Sequence, residues 1–186
     1  MKNLTAVLAV LMMIFAGLAC STDETDKANV LVDDANKLIA EANKNVQDAE
    51  TKGNEFDKKV GEIESNDDHK KVAEFGEKEL IPLYDTMKNN FQKAGDKFEE
   101  ASKLKVNDKY KEYLSAKAVE FKKRAEYAEQ LKTIPKTLSG SKNEKEYQEK
   151  VAKEVEKAKK LLDESKELAA KADKIQKDNP NIIKQN

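Results

Sequence analysis

The sequence predicts an all-α protein, an elongated antiparallel helical bundle of four helices with coiled-coil-like heptad packing. Apolar residues return at alternating spacings of four and three along most of the chain, which is the period of helices that pack along a seam. The composition agrees, because 38% of the residues are charged and the chain has only six glycines, three prolines and no tryptophan. Such a composition is typical of long helices with charged outer faces.

The first predicted helix covers residues 27–64. Leu31 and Leu38 lie beside its apolar seam and widen it, which suits a bundle better than a two-stranded coil. Several seam positions are alanine or glycine, so a neighbouring helix can approach closely. The seam follows the four-three spacing without interruption through Ala28, Val32, Ala35, Ile39, Ala42, Val46, Ala49, Gly53, Phe56, Val60 and Ile63.

A second helix is predicted after the polar stretch at residues 65–68, and it extends to about Leu104. The side chains of that stretch favour turns and helix N-termini because they bond to free backbone N–H groups. Pro82 lies inside the helix and removes one backbone donor. We therefore expect either a kink near residues 78–82 or a break that isolates a short helix at residues 68–79.

Two more helices complete the predicted bundle domain, which spans residues 27–178. The third runs from Asp108 to about Thr133, and a loop is expected at residues 134–141. Ser141 and Glu144 match a capping box that would start the fourth helix. Residues 179–186 are expected to form a frayed tail, in which Ile182 and Ile183 are candidates to dock on a neighbour. The alternative architecture is a three-helix core with one helix splayed or used for oligomerisation.

The first nineteen residues have the pattern of a secretory signal peptide. Lys2 provides a positive charge, residues 4–18 are almost wholly apolar, and polar residues follow directly after Cys20. The apolar run is shorter than the roughly 20 residues that cross a bilayer core. Cys20 is the chain's single cysteine, so no disulfide within the chain explains it. An ordinary signal peptide and an uncleaved membrane helix are the alternatives, and both still predict export.

The sequence Gly17-Leu18-Ala19-Cys20 resembles the lipobox of bacterial lipoproteins, although Gly17 stands where leucine is common. The resemblance implies that residues 1–19 are removed, that Cys20 is acylated, and that residues 20–26 form a lipidated tether. Ser21 resembles the residue found after the cysteine in outer-membrane lipoproteins. The chain is similar to the murein lipoprotein only in being anchored and rich in heptads, because it lacks the terminal lysine that links that family to peptidoglycan.

The charge balance argues against a nucleic-acid partner. The chain has 35 basic and 36 acidic residues and a formal net charge of −1, whereas a nucleic-acid binder shows a net basic footprint. The densest basic run, residues 122–124, has acidic residues close on both sides. We interpret it as a solvated helix face.

No set of residues in the sequence predicts catalysis or a metal site. His69 is the only histidine, and with Asp67 and Asp68 it supplies too few ligands for a metal. The carboxylate pairs at residues 33–34 and 99–100 fall among lysines on charged faces, whereas acid–base catalysis needs carboxylates with shifted pKa values. We expect no enzyme activity, no metal and no cofactor.

Tyr84, Met87, Phe91 and Phe98 form an aromatic stripe along the second helix. Core packing is the ordinary explanation for such a stripe, and the small residues of the first helix would complement it. The functional interpretation is an apolar groove for a ligand or a partner helix.

Together these patterns predict a membrane-anchored, non-catalytic lipoprotein that acts as a structural or protein-interaction module of the bacterial cell envelope. Its expected partners are the membrane, through the lipid anchor, and an unidentified envelope protein. The alternative function is a carrier or chaperone that binds a hydrophobic ligand between its helices. The sequence specifies neither the oligomeric state nor whether the protein faces the periplasm or the exterior.

Overall fold

The structure is a computed structural model that describes residues 23–182. These residues form an all-α helical bundle, which confirms the predicted fold class. The finer expectation of coiled-coil-like heptad packing stays a prediction. The helices are α1 (Thr25–Gly61), α2 (Asn66–Phe75), α3 (Ile81–Ser102), α4 (Asp108–Leu131), α5 (Thr133–Ser139) and α6 (Glu144–Asp178).

Consecutive long helices lie side by side and run in opposite directions. Glu24, just before α1, donates its backbone N–H to the Lys105 carbonyl at 2.9 Å, beyond the end of α3. The Lys52 Nζ atom, near the other end of α1, lies 3.3 Å from the Glu79 carboxylate. The 37 residues of α1 correspond to a length of about 55 Å, so the bundle is elongated.

The predicted seam of α1 faces the core. Ala28, Ala35 and Ala42 are fully buried, as close packing of a small-residue seam requires. Ile39 and Val46 are only half-buried, because α6 packs on α4 and α5 and not closely on α1. One side of the α1 seam therefore borders open surface clefts.

The chain remains helical from α2 to α3 through a π-helical turn at Gly76–Leu80. Ile81 donates its N–H to the Gly76 carbonyl, five residues back, directly before Pro82. Proline cannot supply the next helical hydrogen bond, and the wider turn accommodates that missing donor. The predicted break that isolates a short helix at residues 68–79 is therefore wrong, because every residue from α2 to α3 keeps a helical conformation.

Two glycines in this helical segment allow close approach of its neighbours. A Cβ atom at Gly76 would lie 2.6 Å from Phe56 Cε2 and 2.8 Å from Pro135 Cβ. A Cβ atom at Gly95 would lie 2.9 Å from Lys122 Cγ. All three distances are shorter than carbon contacts allow, so glycine sets the spacing of this segment against α1, α5 and α4.

The connection between α4 and α6 differs from the prediction. Residues 134–141 were expected to be a loop, but most of them belong to α5, where Pro135 lies in the first turn and needs no N–H donor. The predicted capping box at Ser141 and Glu144 is also wrong. Asn143 caps α6 by accepting the Glu146 N–H at 3.0 Å, and Glu146 accepts the Lys142 N–H at 2.9 Å.

The two ends of the described chain are tied to the bundle. Helix α1 begins at Thr25, inside the predicted tether of residues 20–26. Ile182, in the predicted tail, is 4% exposed and belongs to the core. The predicted signal peptide, Cys20 and Ile183 lie outside residues 23–182. None of the helices within those residues combines the length and the apolar character that a membrane span requires.

Candidate functional site

The four residues of the predicted groove share one stripe of α3 and are all buried. Phe91 and Phe98 stack on Phe121 of α4, with ring centroids 6.0 Å and 5.6 Å apart. These two rings fill the core. Tyr84 and Met87, further along the stripe, instead border an open cleft. The structure therefore divides the predicted groove into a half that packs against α4 and a half that forms the floor of a cleft.

The cleft lies between α1 and α4 and has a volume of about 230 Å³. Its floor is the α3 surface at Tyr84 and Met87. Gly53 opens its α1 wall, because a Cβ atom at this position would meet nothing within 4 Å. The lining residues are Val46, Ala49, Glu50, Gly53, Asn54, Asp57, Tyr84, Met87, Tyr127 and Leu131.

The charged side chains that line this cleft are both acidic. Glu50 and Asp57 lie on the α1 wall, and no lysine or arginine is among the lining residues. Neither carboxylate has an ion pair or a hydrogen bond within residues 23–182. Four other surface clefts in the described part each include at least one lysine. The cleft is thus an acidic site in a protein whose surface is otherwise rich in lysine.

Asp57 occupies an environment that disfavours its charge. Partial desolvation raises the pKa of its carboxyl above the ordinary value, whereas ion pairs and hydrogen bonds lower the pKa of other carboxyl groups, such as Glu99 and Glu146. An unpaired carboxylate beside apolar surface is stabilised by any cation that binds there.

All five tyrosines of the chain have a raised pKa, and burial is the main cause for each. The pKa is about 12 for Tyr84, Tyr110 and Tyr147. The Asp57 carboxylate adds to the shift at Tyr84 and Tyr147, and Glu50 adds to that at Tyr127. The rings around the cleft are therefore neutral hydrogen-bonding groups at ordinary pH.

These tyrosines predict alkaline unfolding. A pKa raised above the unfolded value of about 10 contributes stability that is full below pH 10 and is lost as the pH rises toward 12. We expect tyrosinate absorbance of the folded chain to rise only above about pH 11, together with loss of helical circular dichroism. The chain unfolded in urea is the control and should titrate near pH 10. A folded chain that titrates there as well would contradict the burial of these hydroxyl groups.

The other residues considered for chemistry lie elsewhere. His69 is 8% exposed in α2, and its Nε2 atom has no hydrogen-bond partner within the described residues. No group of three or more potential metal ligands occurs in that part of the chain. Glu99 accepts hydrogen bonds from Lys103 and Lys122, which lower its pKa to about 2, so this carboxylate belongs to surface ion pairs.

The run at residues 122–124 is less solvated than predicted. The Arg124 side chain is 34% exposed, and its Nη2 atom lies 2.9 Å from Oε1 of Glu120, a carboxylate that is 1% exposed. Lys117 Nζ lies 2.6 Å from the other oxygen of Glu120. The buried carboxylate between two cations is a packing feature of α4 that sequence analysis missed.

The first described residues, which follow Cys20 in the chain, are held by several hydrogen bonds. Asp23 accepts the Thr25 N–H at 2.9 Å and the Thr25 hydroxyl at 2.6 Å. Lys105 donates its N–H to the Glu24 carboxylate at 3.1 Å, which complements the Glu24 backbone bond to Lys105. Only Ser21 and Thr22 separate Cys20 from these fixed residues.

Comparison of this chain with protein-family models, with curated proteins and with solved structures found no match.

Proposed function

We propose that the protein is a lipid-anchored, non-catalytic module of the bacterial cell envelope. Acyl chains on Cys20 would hold it at the membrane, with the outer membrane as the expected site. The helical bundle would then present its charged surface to an envelope protein. The mechanism is positional, because the protein would place a rigid surface at a fixed distance from the bilayer.

The observation that supports this proposal is that hydrogen bonds hold Asp23 and Glu24 at the end of the bundle. A chain spans at most about 3.6 Å per residue, so the three steps from Cys20 to Asp23 reach about 11 Å. An anchor at Cys20 would therefore keep this end of the bundle against the membrane surface. The opposite end would lie about 55 Å away along α1. A short connection suits a spacer better than a freely moving domain.

The test of the anchor is Cys20→Ser, with Ser21→Ala as the matched control. The wild-type chain and the control should incorporate labelled fatty acid, lose residues 1–19 and sediment with membranes. Cys20→Ser should lose the label completely and leave the membrane fraction, because no other cysteine can carry the thioether. Wild-type protein without label would contradict the proposal. In that case its mass would distinguish an ordinary signal peptide from an uncleaved membrane helix.

A second candidate function is a carrier for a small apolar ligand. The cleft at Tyr84 and Met87 favours it, because these two buried stripe residues line an open cleft while Phe91 and Phe98 stack on Phe121. A carrier must let small molecules enter this cleft and must release them chemically unchanged. The Met87 side chain on the cleft floor is a direct reporter of their entry.

A further inference from the structure

We propose that the cleft between α1 and α4 selects a small organic cation, an ammonium group attached to a compact apolar body. This inference rests on the carrier function and adds the class of ligand. It is independent of the lipid anchor on Cys20.

The charges of the cleft favour a cation. Glu50 and Asp57 stand on one wall with no basic side chain among the lining residues. A ligand ammonium placed there would meet a solvent-exposed carboxylate that has no ion pair or hydrogen bond within residues 23–182. Bringing a carboxylate ligand into the same place would add a third negative charge, which costs free energy.

The apolar and aromatic surfaces of the cleft favour an organic ligand over a hydrated metal ion. Met87 and Leu131 supply apolar lining, and the half-buried Tyr127 supplies an aromatic ring. A ring beside an ammonium group stabilises the cation. Metal sites, by contrast, need several ligand atoms that converge on one point. No cluster of that kind occurs among the residues that the structure describes.

The volume of the cleft limits the size of the ligand. At about 230 Å³ it is smaller than the roughly 300–1,000 Å³ of sites for drug-sized ligands. Gly53 leaves its part of the α1 wall open, since nothing lies within 4 Å of a Cβ atom placed there. A single aromatic ring or a short alkyl chain with one ammonium group suits this space.

Met87 makes the proposal directly testable by nuclear magnetic resonance. The full chain, labelled with ¹³C in the methionine methyl groups and held in a non-ionic detergent, has four methionines, and Met87→Leu identifies the cleft signal. The probes are 2-phenylethylammonium, neutral 2-phenylethanol and phenylacetate, which share a ring and differ in charge. We expect the ammonium ion to shift the Met87 signal until the site is saturated. The alcohol should bind with an affinity at least about fivefold lower, and the anion should cause no shift.

Three variants locate the binding. Asp57→Asn should lower the affinity for the ammonium ion by about fivefold and leave the affinity for the alcohol unchanged. Gly53→Leu should abolish binding by filling the cleft. Gly61→Leu is the matched control, because it changes another helical glycine of α1 with open space around it, and it should bind like the wild-type chain.

The possible negative results distinguish the cation selectivity of the cleft from the carrier function. Equal affinity for the ammonium ion and the alcohol would overturn the cation selectivity and leave the carrier function standing. The absence of any Met87 shift with all three probes would overturn both. Equal loss of binding in Gly53→Leu and Gly61→Leu would show that the signal does not report on the cleft, and that result also rejects the inference.

Discussion

Phe121→Ala is expected to lower the free energy of unfolding by about 3–5 kcal/mol, the cost of removing a large buried ring. Phe121 is 4% exposed on α4 and stacks on both Phe91 and Phe98 of α3. Lys117 Nζ lies 4.8 Å and the Arg124 guanidinium 5.3 Å from the ring centroid. The substitution therefore removes aromatic stacking and cation–π contacts together with the packing.

Urea denaturation followed by far-ultraviolet circular dichroism measures this loss. Phe75→Ala is the control, because Phe75 is only half-buried and lies beside Lys52 and Lys59 at the rim of the bundle. Phe75→Ala should lower the free energy of unfolding clearly less than Phe121→Ala does. Phe121→Leu retains much of the volume without the ring and should fall between Phe121→Ala and the wild-type chain. A cost for Phe121→Ala no larger than that for Phe75→Ala would contradict the central position of this ring.

The helices could be predicted from the sequence because their signals are local. The seam of α1 repeats with helical spacing, and the observed helix starts at Thr25, two residues before the predicted position. The predicted loop around Pro135 failed because the same residue is compatible with a loop and with the first turn of a helix. The π-helical turn before Pro82 was missed because it depends on how α2 and α3 pack on their neighbours.

The candidate site could be predicted only in part. The aromatic stripe identified Tyr84 and Met87, because both lie on one face of one helix. Gly53 and Tyr127 were missed, since their meeting depends on how α1 and α4 are placed around α3. Asp57 could not be singled out from the sequence, because the chain has 36 acidic residues. That no lysine lines the cleft beside it becomes visible only in three dimensions.

Glu120 is the charged residue for which substitution is expected to cost most. Its side chain is 1% exposed, and it pairs with Lys117 at 2.6 Å and with Arg124 at 2.9 Å, both on the same helix. Glu120→Met keeps the length of the side chain and leaves both cations without their anion. Breaking a buried ion pair in this way costs about 3 kcal/mol or more. Lys117 is itself only 15% exposed, so water reaches it poorly after the change.

The exposed ion pair of Glu126 with Lys123, at 2.6 Å, is the natural control. Glu126→Met should change the free energy of unfolding by less than about 1 kcal/mol, because solvent screens an exposed pair. The triple variant Glu120→Met, Lys117→Met, Arg124→Met removes the charges together and should regain most of the stability lost in Glu120→Met. Urea denaturation of the four proteins checks these values. A triple variant less stable than Glu120→Met would mean that the cations stabilise α4 through Phe121 and not through the buried carboxylate.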